Sequence, residues 1–190
     1  MQPRIWRPAP GVARMMMLGA ACAALVAGAS VYAFGPTFNA APEKAKTPPL
    51  PASALMGPAS VIDGDTINIR GQRIRLHGID APESAQSCRD GQGRDYRCGQ
   101  KATSALAEKI GKQTVSCEQR DIDRYKRVVA VCRAGNEDLN YWLVQQGFAV
   151  AYRQYSTAYV RAEDNARAAR RGLWAGKFTT PSEYRRSKAG

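Results

Sequence analysis

Residues 61–83 read VIDGDTINIRGQRIRLHGIDAPE, and this stretch decides the fold. Short apolar runs alternate with polar residues, and the runs are separated by Asp-Gly at 63–64 and by Arg-Gly-Gln at 70–72. Asp-Gly between two apolar runs is a strong signal for a β-hairpin turn. The stretch therefore predicts three adjacent antiparallel strands, over 59–62, 66–69 and 73–79.

The chain after residue 83 continues with two more strands and three helices. Apolar spacing, polar capping residues and glycines after the last turn indicate the helix boundaries. The predicted elements are a polar loop over 84–97, a helix over 99–110, strands over 114–118 and 127–133, a helix that Asn140 caps and Gly147 ends, and a last helix that starts at 156 or 157, buries Tyr159, Ala162, Ala166 and Ala169, and ends at Gly172 in a Schellman motif. This set predicts an α+β fold, mainly β, with a five-stranded OB-type barrel and three flanking helices.

The N-terminal segment has the composition of a targeting signal. Residues 1–14 carry three arginines and no acid, and residues 15–42 carry no charge. A positive start followed by an apolar run predicts a signal peptide over 1–34, and 15–34 is also long enough for an uncleaved membrane anchor. In both cases the arginines precede the apolar run, so we expect the rest of the chain outside the cytoplasm. It would be periplasmic or secreted after cleavage, and membrane-anchored without it.

Three further segments follow this signal. Residues 35–57 are rich in proline and alanine, which predicts a disordered linker. The folded domain is expected over 58–178, and residues 179–190 form a basic C-terminal tail.

The chain carries a formal net charge of +12. Such an excess points to an acidic partner, either nucleic acid or an anionic membrane surface. The alternative is a basic surface that is merely solvated, and charge alone does not separate these interpretations.

The predicted domain contains four cysteines: Cys88, Cys98, Cys117 and Cys132. An even number of cysteines in an exported chain favours disulfides. Zinc is the competing interpretation, although no pair has the close C-x-x-C spacing of many zinc sites. Among three possible connectivities we prefer Cys88–Cys98, which would close a polar loop, and Cys117–Cys132, which would cross a hairpin.

Residues 61–83 also carry the groups that phosphate-ester chemistry requires. Asp65, Asp80 and Glu83 can bind a hard cation through oxygen. Arg75 can grip a phosphate through two parallel hydrogen bonds. A metal ion and arginines together stabilise the negative charge that develops on phosphate oxygens.

Taken singly, each motif has an ordinary structural interpretation. Asp-Gly-Asp at 63–65 is typical of a hairpin turn, 80–83 of a proline turn after a strand, and 123–127 of a solvated charged turn. His77 is the one histidine of the chain. It is left out of the predicted site because a lone histidine is more often structural or solvent-exposed than catalytic.

In combination the motifs resemble the staphylococcal nuclease (thermonuclease) family. The resemblance covers 59–174 and rests on several motifs in the same order. They are D-G-D-T at 63–66, R-L-x-G-I-D-A-P-E at 75–83, D-R-Y-x-R at 123–127, N-Y-W-L-V-Q-Q-G-F-A at 140–149 and A-R-A-A-R-R-G-L-W at 166–174.

The resemblance implies a calcium-dependent phosphodiesterase that acts on DNA and RNA with one bound Ca2+ ion. The metal ligands it implies are Asp65, Asp80 and the backbone carbonyl of Ala81, where the family's type enzyme has threonine. Asp63 is implied as an acid near the metal that does not bind it directly.

The resemblance also assigns residues to catalysis and to substrate binding. Glu83 is implied as the general base, and Arg75 and Arg127 as the arginines that bind the phosphate. Residues implied at the substrate are Arg124 and Tyr125, near a terminal phosphate, and Tyr152 and Tyr155, beside a base.

The sequence therefore predicts an exported nuclease with DNA and RNA as partners and little sequence specificity. We expect a monomer, with membrane anchoring through 15–34 if the signal is retained. The alternative is a catalytically silent OB-type module that binds nucleic acid or protein without cutting.

Overall fold

The computed structural model describes residues 55–190, and its elements follow in chain order. The strands are β1 (Met56–Asp63), β2 (Thr66–Ile69), β3 (Gln72–Leu76), β4 (Ile79–Asp80), β5 (Cys88–Arg89), β6 (Asp95–Tyr96), β7 (Thr114–Ile122), β8 (Val128–Ala134), β9 (Glu137–Asp138) and β10 (Val150–Ala151). The helices are α1 (Cys98–Ile110), α2 (Leu139–Gln145), α3 (Val160–Ala168) and α4 (Pro181–Ala189), with a 3₁₀ turn at Gly172–Ala175.

Five strands close into a barrel in the order β3-β2-β1-β7-β8. Neighbours in this order pair antiparallel, and the parallel pairing of β3 with β8 closes the ring. Closure leaves no long exposed edge among these strands, which is how small barrels avoid edge-to-edge association. The predicted α+β, OB-type barrel is confirmed, with four flanking α-helices instead of three.

The barrel interior follows from alternation along the strands. Ile67 and Ile69 of β2 and Ile74 and Leu76 of β3 are fully buried, because every second side chain of a strand points to the same face. Helix α1 covers the barrel with Ala102, Leu106 and Ile110, whose spacing predicts this face. Burying each large aliphatic side chain contributes about 1.5–3 kcal/mol, so this layer is the main source of stability.

Two glycines shape the chain next to the candidate site. A Cβ on Gly64 would lie 2.8 Å from the Cβ of Ala81 and 3.0 Å from that of Ala102, so only glycine lets the β1–β2 turn approach both. Gly78 has φ +72° and interrupts the strand predicted over 73–79, which splits into β3 and β4. The separated β4 pairs with β10, and Asp80 lies opposite Val150.

The structure corrects the predicted N-cap of α2. It also corrects both boundaries of α3, the helix expected to start at 156 or 157 and to end at Gly172. Asp138, not Asn140, caps α2, since its carboxylate accepts a hydrogen bond from the Tyr141 amide at 2.9 Å. Helix α3 begins at Val160 and ends in a Schellman arrangement with Arg170 in the left-handed region at φ 50°. The Arg171 amide then donates to the Ala166 carbonyl at 2.9 Å.

Three residues have other positions than those predicted for them at the helix boundaries. Asn140 is fully buried, and its side chain accepts from the Cys132 amide and donates to the carbonyls of His77 and Ala130. Ala169, predicted to be buried, is exposed. Gly172 packs against the backbone of Gly147, and the amide of Leu173, the residue after Gly172, donates to the Gly147 carbonyl at 2.9 Å.

The predicted basic tail over 179–190 forms helix α4. Thr180 and Glu183 make a capping box, and Pro181 occupies the first helical position. The Gln86 side chain donates to the Thr179 carbonyl at 2.7 Å and ties the start of α4 to the loop after β4.

Both disulfides have the predicted pairing. Cys88–Cys98 links β5 to the start of α1, and Cys117–Cys132 joins directly opposed positions of β7 and β8. The predicted polar loop over 84–97 contains the small hairpin of β5 and β6.

The predicted signal peptide or anchor over 1–34 lies outside the described residues. The predicted linker over 35–57 also lies outside them, except for its last three residues, of which Met56 and Gly57 already belong to β1. Within residues 55–190, the helices are too short or too polar for one to cross a bilayer.

A buried carboxylate that the sequence pattern does not predict holds β10 in place. Glu163 of α3 is 1% exposed, and its Oε2 accepts from the Ala151 amide at 2.6 Å. Its Oε1 accepts from Arg153 at 2.9 Å and lies 3.5 Å from an Arg167 nitrogen. Because β10 pairs with β4, this contact also sets the position of Asp80.

We expect Glu163→Ala to lower the free energy of unfolding by about 2–4 kcal/mol, because it leaves the Ala151 amide without its partner. Urea unfolding measures the change, and Asp164→Ala, which truncates the exposed neighbour on the same helix, is the matched control. Equal stability of the two variants would contradict this role for Glu163.

Candidate active site

Arg75 joins two buried carboxylates at the centre of the candidate site. Its Nη1 donates to Asp65 Oδ1 at 2.7 Å, and its Nη2 donates to Asp80 Oδ1 at 2.9 Å. The β2–β3 hairpin fixes this geometry, because its register sets Thr66, the residue after Asp65, opposite Arg75. One planar guanidinium therefore brings together two acids that are 15 residues apart in sequence.

The negative charge of Asp65 is strongly disfavoured by its surroundings. Burial raises its pKa from 3.8 to about 7, although Arg75 acts in the opposite direction. Its second oxygen, Oδ2, accepts from the Ala81 amide at 3.0 Å. Any further cation that approaches Asp65 therefore stabilises the ionised form of its carboxyl group.

Glu83 lies at the exposed rim of the site, three residues after Asp80. Its side chain is 42% exposed, whereas that of Asp80 is 1% exposed. Water can therefore reach the Glu83 carboxylate beside a buried acid pair.

A second arginine, which the sequence pattern does not predict, comes from α4. Both terminal nitrogens of Arg185 donate to Asp80, at 3.0 Å each, and its Nη1 also donates to Glu83 at 2.8 Å. The capping box of α4 is readable in the sequence as T-P-S-E at 180–183, but nothing local indicates that this helix docks on the site.

Arg127 is held at the end of the β7–β8 hairpin. The Oδ1 of Asp123 accepts from the amides of Tyr125 and Arg127, and its Oδ2 accepts from Arg127 Nε at 2.7 Å. Burial opposes ionisation of Asp123, but the hydrogen bonds from Arg127 lower its pKa overall. The parallel register sets Val128 opposite Ile74, so Arg127 lies beside the strand that carries Arg75.

An open basic cavity of about 500 Å³ adjoins this hairpin end. Its lining comes from the β2–β3 turn and the β7–β8 turn: Gly71, Gln72, Arg73, Tyr125, Lys126 and Arg127. Tyr125 is 67% exposed, and the guanidinium carbons of Arg124 and Arg127 lie 5.1 and 5.5 Å from the centroid of its ring. The predicted substrate residues Arg124 and Tyr125 thus stand together on a cationic, accessible surface.

Tyr152 and Tyr155 form an edge-to-face pair with ring centroids 4.8 Å apart. The Tyr152 amide donates to the Gly78 carbonyl at 2.9 Å, which anchors the pair beside the start of β4. Tyr155 is 62% exposed, so one ring of the pair is accessible to a ligand.

Asp63 has a structural contact in the β1–β2 turn. Its Oδ1 accepts from the Asp65 amide at 3.0 Å and thereby orients the backbone that carries Asp65.

The donor chemistry of this site fits a calcium ion. Carboxylate oxygens are the ligands calcium prefers, and the burial of Asp65 makes a nearby cation favourable. In residues 55–190, however, no three acidic, histidine or cysteine side chains converge on a common point. Arg75 and Arg185 occupy the oxygens of Asp80 instead.

Comparison with known proteins identifies the family of this chain. Residues 73–176 match the model of the family described as staphylococcal nuclease homologue. The chain belongs to this family. The staphylococcal nuclease resemblance is therefore confirmed, and the enzyme class of the family is that of a nuclease, a hydrolase of phosphodiester bonds.

Individual relatives cover the same region. An uncharacterized endonuclease of Haemophilus influenzae is 34% identical over 136 residues, which are 67% of this chain and 71% of the relative. The micrococcal nuclease of Shigella flexneri is 34% identical over 131 residues, 60% of this chain and 70% of the relative. The succinoglycan biosynthesis protein ExoI of Rhizobium meliloti is 43% identical over 126 residues, 65% of this chain and 66% of the relative. The chain thus spans about two thirds of the length of these curated relatives.

We expect Arg75→Ala to lower the free energy of unfolding by about 3 kcal/mol at pH 8 in EDTA, because two buried carboxylates lose a shared partner. Denaturant unfolding measures the loss. It should shrink at pH 5, below the pKa of about 7 that burial gives Asp65, because the carboxyl is then protonated in both proteins and its ion pair no longer adds stability. Arg73→Ala removes an exposed arginine from the same strand and should change stability little. A loss that is equal for both variants, or equal at both pH values, would contradict the bridging role.

Proposed function

We propose that this nuclease-family chain is an exported, calcium-dependent enzyme that hydrolyses DNA and RNA with little sequence specificity. The observation that carries the proposal is the convergence of Asp65 and Asp80 on Arg75, with Glu83 at the accessible rim. Carboxylates beside an arginine suit a reaction in which negative charge builds up on phosphate oxygens.

The carboxylates of Asp65 and Asp80 and the backbone carbonyl of Ala81 would hold one calcium ion. When bound, this ion supplies positive charge next to a non-bridging phosphate oxygen. Asp63 supports the arrangement from behind, because it accepts from the Asp65 amide and orients that residue.

The protein's own side chains divide the remaining tasks. Glu83 takes a proton from the attacking water, a role that its exposure to solvent permits. Arg75 and Arg127 bind the phosphate oxygens through their planar guanidinium groups. Asp123 holds Arg127 in one orientation, so less conformational freedom is lost when the phosphate arrives.

Accessible aromatic rings support a broad choice of substrate. Stacking on a tyrosine favours every base, because each base presents a flat π face. Tyr152 and Tyr155 lie beside the start of β4, and Tyr125 with Arg124 lies at the basic hairpin end. Such contacts bind an unpaired strand without reading its sequence or distinguishing its sugar.

Export is supported by the two disulfides, since such bonds persist in oxidising compartments. The protein would be periplasmic or secreted if the apolar segment at 15–34 is removed, and membrane-anchored if it is retained. We further propose that it acts as a monomer.

The deciding experiment incubates the purified protein with denatured DNA and, separately, RNA, in calcium or in EDTA. We expect cleavage of both substrates in calcium only. Glu83→Gln should lower the rate by about 10²–10⁴-fold, because the attacking water loses its base. Glu108→Gln, an exposed substitution of the same type on α1, should keep the rate. Salt-dependent binding without turnover would instead support a silent binding module.

Tyr125→Ala should raise KM for denatured DNA by about fivefold or more and leave kcat nearly unchanged, because stacking binds the substrate away from the reacting phosphate. Steady-state kinetics separates the two constants. Tyr141→Ala removes an exposed tyrosine on α2 and should leave both unchanged. A fall in kcat at constant KM would show that Tyr125 acts on the reacting group instead.

A further inference from the structure

Arg185 makes the densest set of contacts between α4 and the rest of the chain. It lies beyond the range 73–176 that matches the family model, in the segment predicted as a tail. Its guanidinium faces both oxygens of Asp80 at 3.0 Å and reaches Glu83 at 2.8 Å. A two-pronged carboxylate contact of this kind is among the stronger ion pairs in proteins.

The contact leaves Asp80 with both oxygens engaged. Oδ1 accepts from Arg75 and from Arg185, and Oδ2 accepts from Arg185. Since Asp80 is 1% exposed, water cannot replace these donors. An incoming cation that binds Asp80 from the side of Glu83 therefore meets the guanidinium of Arg185 at the same oxygens.

The two arginines on Asp80 differ in how firmly the fold holds them. Arg75 stands in the middle of β3, which pairs with β2 on one side and β8 on the other, so it cannot leave without opening the barrel. Arg185 stands on a terminal helix. In α4, which lies wholly within the described part of the chain, Pro181 alone is buried.

The other contacts of α4 with the body lie mainly toward the start of the helix, where Pro181 is buried. Gln86 donates to the Thr179 carbonyl at 2.7 Å, just before the helix, and the Tyr184 hydroxyl reaches the Ala85 carbonyl at 3.5 Å. The helix maintains its own first turn through the capping box of Thr180 and Glu183. It can therefore move as a unit while the barrel core stays intact.

We propose that Arg185 is an internal counter-cation of the active site, which neutralises Asp80 and Glu83 in the ion-free protein and is displaced from them when calcium binds. The inference rests on the calcium dependence proposed above. A calcium ion bound to the Asp80 oxygens would lie close to the Arg185 guanidinium that donates to both of them, and the two positive charges would repel each other. Docking of α4 and binding of calcium therefore oppose each other, and each lowers the apparent affinity of the other.

This competition gives α4 a defined part in the reaction. While docked, Arg185 holds the Glu83 carboxylate as an acceptor and keeps it from acting as a base. With Asp80 bound to an ion instead, Arg185 would leave Glu83, and the Glu83 carboxylate would be free to accept a proton from water. The helix is a strap that occupies the carboxylates of Asp80 and Glu83 when calcium is absent.

Calcium titration by calorimetry tests the proposal on the full chain, starting from protein treated with EDTA and dialysed. Arg185→Gln should bind calcium about fivefold more tightly or better than the unchanged protein, because a competing ion pair is removed. Arg186→Gln removes the same charge from the next, exposed position of α4 and should bind as the unchanged protein does. Arg185→Lys, which keeps the charge but loses the fork, should lie between them.

Two further readouts do not depend on activity. In EDTA, Arg185→Gln should melt at a lower temperature than Arg186→Gln, and in saturating calcium this difference should vanish. Hydrogen exchange of the amides in 184–189 should become faster in the unchanged protein when calcium is added. Equal or weaker calcium binding by Arg185→Gln, or slower exchange in α4 with calcium, would overturn the proposal.

These experiments distinguish a failure of the Arg185 proposal from a failure of the proposed nuclease function. Tighter calcium binding by Arg185→Gln without any nucleic-acid cleavage by the unchanged protein would overturn the nuclease proposal and keep the strap. Calcium-dependent cleavage with equal calcium affinities would keep the nuclease and overturn the strap. If neither protein binds calcium, the strap is overturned together with calcium dependence, and cleavage in EDTA decides the nuclease separately.

Discussion

The bridge from Arg75 to Asp65 and Asp80 is the interaction on which the site depends. It places two acids with little access to water within reach of one guanidinium. Because burial raises the pKa of Asp65, each positive charge nearby helps to keep its carboxylate ionised. The barrel supplies the rigidity, because Arg75 belongs to the strand that closes the ring. Buried ion pairs rarely add much net stability, so this one is better understood as a device for positioning charge.

Much of the fold could be predicted because its determinants are local. Asp-Gly at 63–64 and the alternation around it specify the hairpins, and the apolar spacing of α1 specifies its buried face. The errors arise where a side chain has a long-range partner. Asn140 carries the signature of a helix cap, yet it binds the backbone of β8 and His77, and this burial has no local signal.

The site shows the same division. The acids and Arg75 are predictable because they occur close together within 61–83, and family motifs add Arg127. Arg185 was beyond prediction from sequence, because its partners are 102 and 105 positions away and its helix is short and polar. Its effect also depends on geometry, since the neighbouring Arg186 carries the same charge and is exposed.

The contacts of Glu163 have a consequence for how substrate preference could evolve. The segment between Ala151 and Tyr159 is fixed at both ends, by the Glu163 carboxylate and by a buried tyrosine whose hydroxyl reaches Asp138. Between these anchors the chain carries the exposed Tyr155 and makes little use of the core. The length and side chains of this segment can therefore change with little effect on the packing of the barrel or on the positions of Asp65 and Asp80.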